Sequence, residues 1–223
     1  MLPAEAAAAK KRADYLEAER GLRRDPEFLR AFRNEWVNKI LIGQLAAHKI
    51  REETPEEYLA GFPDITPQLN EYEELFPTPF IYDPLIPIGA VVEHIGGAIE
   101  HISVADITNV TKVDDRRYSG WSQDGSRHMG ISTNAAMEAF VSGLEVGTPM
   151  VEVAQLYLRY PDMWKPLTKY FSRGYFAAGS RWHSGVPSFG VFGDRARVHA
   201  YSLDLAHPSW RVLSRGSKLN FGS

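Results

Sequence analysis

Cysteine is absent from the 223-residue sequence. That excludes disulfides, thiol nucleophiles, iron–sulfur clusters and zinc ribbons built on thiolates. Long apolar runs are missing too: none approaches the roughly 20 residues that cross a bilayer as a helix, so no transmembrane helix is expected. The N-terminal stretch has no apolar core and does not read as a secretory leader. Glu5, Asp14, Glu17 and Glu19 interrupt its basic residues, unlike a transit peptide. Ser217-Lys218-Leu219 is not a peroxisomal address, because other residues follow it.

Basic residues are scarce in one region. Between Glu52 and Thr111 there are twelve Asp or Glu and no Lys or Arg. From Arg173 to Ser223 the balance reverses, with seven Lys or Arg against two Asp. The two blocks either pack on each other or each face a partner of opposite sign. The whole chain carries a net charge of −3, with a pI near 6.2. Nucleic acid is therefore not an expected partner.

Catalytic signatures also fail. There is no HExxH, no Walker A sequence and no GxGxxG. Gly120-Trp121-Ser122-Gln123-Asp124 approaches a nucleophile elbow but has Asp where the second Gly belongs. Ser122, Asp124 and His128 are triad residue types, yet they lie within seven residues of one another on an expected loop.

What is present begins with helical periodicity. Asp25-Pro26 reads as an N-cap followed by Pro at the first helical position. Phe28, Leu29, Phe32, Trp36, Val37, Ile40, Leu41 and Leu45 then recur at helical spacing over roughly 26–50. Before it, 4–20 reads as an Ala-rich charged helix. Thr54-Pro55-Glu56-Glu57 is a capping box. Thr66-Pro67, Thr133-Asn134, Thr148-Pro149 and Pro161 each mark a helix start, the last with a break at Pro166.

Residues 76–88 carry prolines at 77, 79, 84 and 87 and read as an apolar extended strap that needs a surface. Residues 195–205 alternate as a strand. The rest of 174–223 mixes Arg with aromatic residues and shows no evident core face. That mixture suits an interface arm, with single-stranded RNA a weaker match.

The segment 91–101 holds two Glu-His pairs, Glu93-His94 and Glu100-His101, around Gly96-Gly97. In a helix, a spacing of seven is two turns, about 10.5 Å, which is too far for one ion. As a hairpin, Glu93 would face Glu100. The preferred reading is one helix across 88–107, with Gly96 and Gly97 admitting a neighbouring backbone. A metal or acid–base role for Glu93, His94, Glu100 and His101, joined by a distant group such as His128, is the alternative.

These observations predict a mainly α fold: a short helical core, Pro-rich straps and an irregular C-terminal arm with minor β. The expected units are a charged helical extension (1–24), a helical body (25–173, with its connector at 76–88) and the arm (174–223). The expected function is a non-catalytic accessory subunit of a large assembly, with a mitochondrial inner-membrane complex (respiratory chain or ATP synthase) first. A virion or ribosomal structural protein comes next, then an enzyme using the Glu-His segment. Trp36, Phe80, Tyr82, Arg181, Trp182, Trp210 and Arg211 are the expected interface anchors. Other protein subunits are the expected partners, with peripheral lipid contact in addition, and no cofactor or metal is expected.

Overall fold

Alternation organises as much of this chain as helical periodicity does. The structure, a computed structural model, describes residues 24–42, 54–72, 75–164, 173–192 and 195–221, with Ala7 and Lys10. The helix expected over 4–20, apart from Ala7 and Lys10, lies outside the described residues. So do the end of the helix expected over 26–50 and the break at Pro166.

Among the described residues, eleven strands join in one mixed sheet. In chain order they are β1 (Thr78–Tyr82), β2 (Ala98–Ile99), β3 (Ile107–Asn109), β4 (Tyr118–Ser122), β5 (Glu145–Gly147) and β6 (Arg173–Ala177). Then follow β7 (Ser180–Trp182), β8 (Gly185–Phe192), β9 (Arg195–Ser202), β10 (Trp210–Gly216) and β11 (Asn220–Phe221). The main path runs β1-β4-β10-β6-β8-β7-β3, with β11 on β4, β5 on β10, and β9 between β8 and β2. The helices are α1 (Pro26–Ile42), α2 (Pro55–Ala60), α3 (Ile88–His94), α4 (Thr133–Glu138), α5 (Met150–Arg159) and α6 (Pro161–Trp164).

The expected mainly α class is therefore wrong. Among the described residues strand takes up about as much as helix, 30% against 31%. The C-terminal arm is not irregular: it supplies β6 to β11, including the centre of the sheet. Buried serines and arginines broke its apolar alternation and hid the strands. The strap at 76–88 is strand β1 and the turn after it. β1 pairs antiparallel with β4, Pro79 opposite Trp121. It tolerates Pro79 because it ends the sheet path, where one ladder of N–H groups has no strand to bond.

The period of two divides the core between the two faces of the sheet. Tyr175, Ala177, Phe189, Val198 and Leu213 face the larger cluster, which holds Leu29, Phe32, Trp36, Val37 and Ile40 of α1 and Val153 and Leu156 of α5. Phe176, Ala178, Val186, Trp210 and Val212 face a smaller cluster with Ala136 of α4. Strand β10 is buried along its whole length. Its first half pairs parallel with β6 (Trp210 with Gly174, Leu213 with Ala177), and its second half antiparallel with β5 (Ser214 with Gly147).

Local signals decide the helix starts. The capping box forms: the Thr54 hydroxyl accepts the Glu57 N–H at 3.2 Å, and the Glu57 carboxylate accepts the Thr54 N–H at 2.8 Å. α5 begins after Pro149 and ends at Arg159, as Thr148-Pro149 predicts. The helix expected after Thr133 is cut to six residues and capped by Ser132. The single helix expected across 88–107 stops at His94. Gly96 adopts φ +62, which turns the chain out of the helix into β2.

Candidate functional site

Seven residues along β10 place alternate side chains on opposite faces. Arg211, Leu213 and Arg215 share one face. Arg215 is 2% exposed. Across from it, α5 contributes Glu152, which is 1% exposed, and Gln155 one turn later. The Nε–H of Arg215 donates to one Glu152 oxygen at 3.1 Å, and the other oxygen lies 2.8 Å from the same nitrogen. The Tyr118 hydroxyl donates to Glu152 as well. Burial raises the Glu152 pKa against the pull of Arg215, and burial beside Glu152 raises that of Tyr118. Tyr82 stacks on Tyr118 with ring centres 4.7 Å apart, and burial raises its pKa too.

Arg215 also lines an open cleft of about 410 Å³. Val110, Val146, Leu219 and Phe221 line it together with Lys112, Asp114 and the hydroxyl side chains of Thr111 and Ser217. The Arg215 Nη2 donates to the Lys112 carbonyl at 3.2 Å, and Nη1 to the Gly216 carbonyl at 3.0 Å. Asp114 is held by the Arg116 guanidinium at 2.9 Å, which drops its pKa to about 2. The same guanidinium lies 4.4 Å over the Phe221 ring and so fixes that wall. A mainly apolar hollow with a few polar groups, one of them a buried guanidinium, has the form and size of small-ligand sites.

A second buried polar centre lies on the opposite face of β10. Glu145, whose side chain is fully buried, receives His128 Nε2 at 2.9 Å, Arg127 at 3.1 Å, the Val141 N–H at 2.9 Å and the Ser214 hydroxyl. Burial alone would raise its pKa, but the bonds from His128, Ser214 and Val141 and the charge of Arg127 outweigh it and lower the value. Serine, carboxylate and imidazole meet here, yet the carboxylate is in the middle. The imidazole is not shown on the hydroxyl, so this is not the relay that activates a nucleophile. A third centre is Asp83, whose carboxylate accepts the Tyr58 hydroxyl with Arg117 Nε 3.7 Å away, and whose backbone bonds the Gln155 amide.

The residues singled out from sequence fall mostly elsewhere. Trp36, Phe80, Tyr82, Trp210 and Arg211 are buried within this chain. Arg181 is half-buried against the Ala178 and Ser180 carbonyls and the Met137 sulfur. Trp182 is half-buried beside His183. Glu93, His94 and His101 are exposed. Glu100 pairs with Arg197 at 3.1 Å, and the His101 ring packs edge-on to His199 at 5.6 Å. His128 is committed to Glu145. No group of three or more His, Asp or Glu able to hold a metal occurs among the described residues. Gly97 lies where an added Cβ would meet the Ala196 carbonyl of β9 at 2.7 Å.

The oppositely charged blocks meet. Lys218 reaches Glu71 at 2.7 Å, Arg197 reaches Glu100, and β2 and β3 pair with β9 and β7. Sequence reading passed over Glu152, Glu145 and Arg215. For Glu152 a signal existed: a carboxylate inside the apolar helix "MVEVAQLY". No family model matches the chain, and no curated protein or solved structure was found similar to it. Among the described residues no helix is long and apolar enough to cross a membrane.

Proposed function

We propose that this chain is a non-catalytic binding protein whose ligand sits in the cleft above Arg215. One observation carries this reading. Val110, Val146, Leu219 and Phe221 give the cleft apolar lining, and its most buried charged group among the described residues is a guanidinium held in place by Glu152 and two backbone carbonyls. Such a group is pre-oriented before a ligand arrives, which lowers the cost of binding. The test is a screen of small neutral and charged fragments, followed by amide chemical shifts. Binders are expected to move Val110–Asp114 and Ser217–Phe221 together. Leu219→Trp fills the hollow and is expected to abolish those shifts.

A second reading is the accessory subunit of a large assembly, with other protein subunits as partners and peripheral lipid contact in addition. Val110 is 59% exposed and Phe221 41% exposed at the same cleft, which supports a protein partner seated there. The mitochondrial inner-membrane complex, and after it the virion or ribosomal particle, belong to this reading. Light scattering separates the two. A lone chain that elutes as a monomer, both purified and in its native extract, removes the assembly reading.

A further inference from the structure

We infer that the ligand of the cleft is a monocarboxylate carrying a short apolar chain, bound with its carboxylate on Arg215 and its chain along Val146, Leu219 and Phe221. The inference rests on the binding reading above and names its ligand.

A guanidinium has five N–H groups. Among the described residues, the Nε–H of Arg215 goes to Glu152, one N–H of Nη1 to the Gly216 carbonyl and one of Nη2 to the Lys112 carbonyl. One N–H therefore remains on each terminal nitrogen. Arg215 lines the cleft, so a ligand there can accept these remaining N–H groups. The planar guanidinium matches a carboxylate better than it matches any neutral acceptor.

Charge around the cleft also favours an anion. Lys112 stands at the wall, and the one carboxylate there, Asp114, is neutralised by Arg116. The charge of the ligand is limited to one unit, because Arg215 already faces Glu152. A dianion such as phosphate would need more donors than two N–H groups and would gain nothing from the apolar walls. A carboxylate with a chain uses both.

Geometry makes Glu152 the ligand's competitor for the same guanidinium. Removing its charge while keeping its shape frees Arg215 for the ligand. Glu152→Gln is therefore expected to bind carboxylate more tightly than the natural chain does. This outcome is opposite to the loss that a merely structural lesion gives.

The experiment titrates hexanoate, octanoate and decanoate into the full chain and compares each with the amide of the same length. Affinity is followed by calorimetry and location by amide shifts. Octanoate is expected to bind about tenfold tighter than octanamide, the scale of one charge-assisted hydrogen bond, and tighter again to Glu152→Gln. Arg215→Lys is expected to remove the preference for the acid. Should that variant fail to fold, Leu219→Trp, which leaves Arg215 in place, is expected to abolish binding of acid and amide alike. Equal binding of octanoate and octanamide in the cleft would overturn the inference and leave the binding reading standing. If neither the fatty acids nor any fragment shifts these amides, both readings fall together.

Discussion

Gln155 bonds the backbone of Asp83 with both halves of its amide: its oxygen accepts the Asp83 N–H at 2.9 Å, and its nitrogen donates to the Asp83 carbonyl at 2.9 Å. The side chain thus acts as a short strand partner just beyond β1. The same nitrogen also donates to the Ile86 carbonyl at 3.0 Å. Gln155→Ala removes three hydrogen bonds and leaves the buried Asp83 N–H and Ile86 carbonyl without this partner, while the Asp83 carbonyl keeps the Ile86 N–H; it is expected to cost about 2–4 kcal/mol. Gln155→Glu is expected to cost at least as much, since a carboxylate oxygen would face the two carbonyls. Urea denaturation checks both.

The Glu152–Arg215 pair predicts a non-additive result. Glu152→Leu or Arg215→Met alone leaves a buried charge without its partner and is expected to cost about 3–5 kcal/mol. The double variant is expected to lose clearly less than the sum, because two apolar groups replace a pair whose desolvation is itself expensive. Chemical denaturation of the four proteins completes the cycle. Additive losses would mean that the pair is not coupled.

Glu145 predicts an acid-sensitive fold. Its pKa is lowered below the ordinary 4.5, so the folded chain binds fewer protons there than the unfolded chain does. The stability it contributes is fully present above pH 4.5 and is lost as pH falls through the folded value. Glu145→Gln is expected to be less stable at neutral pH and to show a shallower loss on acidification. Melting temperature followed downward from pH 7 in both proteins tests this, and parallel curves would contradict it.

Gly96 and Gly97 separate two effects at neighbouring positions. Gly96 has φ +62 with open space around it, so Gly96→Ala is expected to cost about 1 kcal/mol of backbone strain. Gly97→Ala would drive a Cβ against the Ala196 carbonyl at 2.7 Å and Val92 Cγ1 at 3.2 Å. The backbone of β9 would have to move, at an expected cost of about 1–3 kcal/mol. Thermal unfolding of both variants ranks them.

Part of this was written plainly in the sequence. Leu29, Phe32, Trp36, Val37 and Ile40 spell the buried face of α1, and Thr54 with Glu57 spells the capping box of α2. These signals are local, so a window of a few residues contains them. The strands were hidden because their interiors are polar. In "WRVLSRG" every residue of β10 is buried, yet arginine and serine interrupt the apolar pattern. What satisfies those groups comes from distant segments: Glu152 for Arg215, and Glu145 for Ser214. The cleft was illegible for the same reason. Val110 and Phe221 line it together although more than a hundred residues separate them in sequence.

The position of β10 in the chain also sets an order of events during synthesis. It pairs with β4, β5 and β6, all of which leave the ribosome before it does. Until it arrives, the edges of β4 and β6 that it will cover have no partner, and Glu152 waits without its cation. Closing those long loops is slow, and unpaired edges are the surfaces through which nascent chains aggregate. A chaperone that holds this chain until β10 emerges would therefore raise its yield far more than one that acts only on the helices.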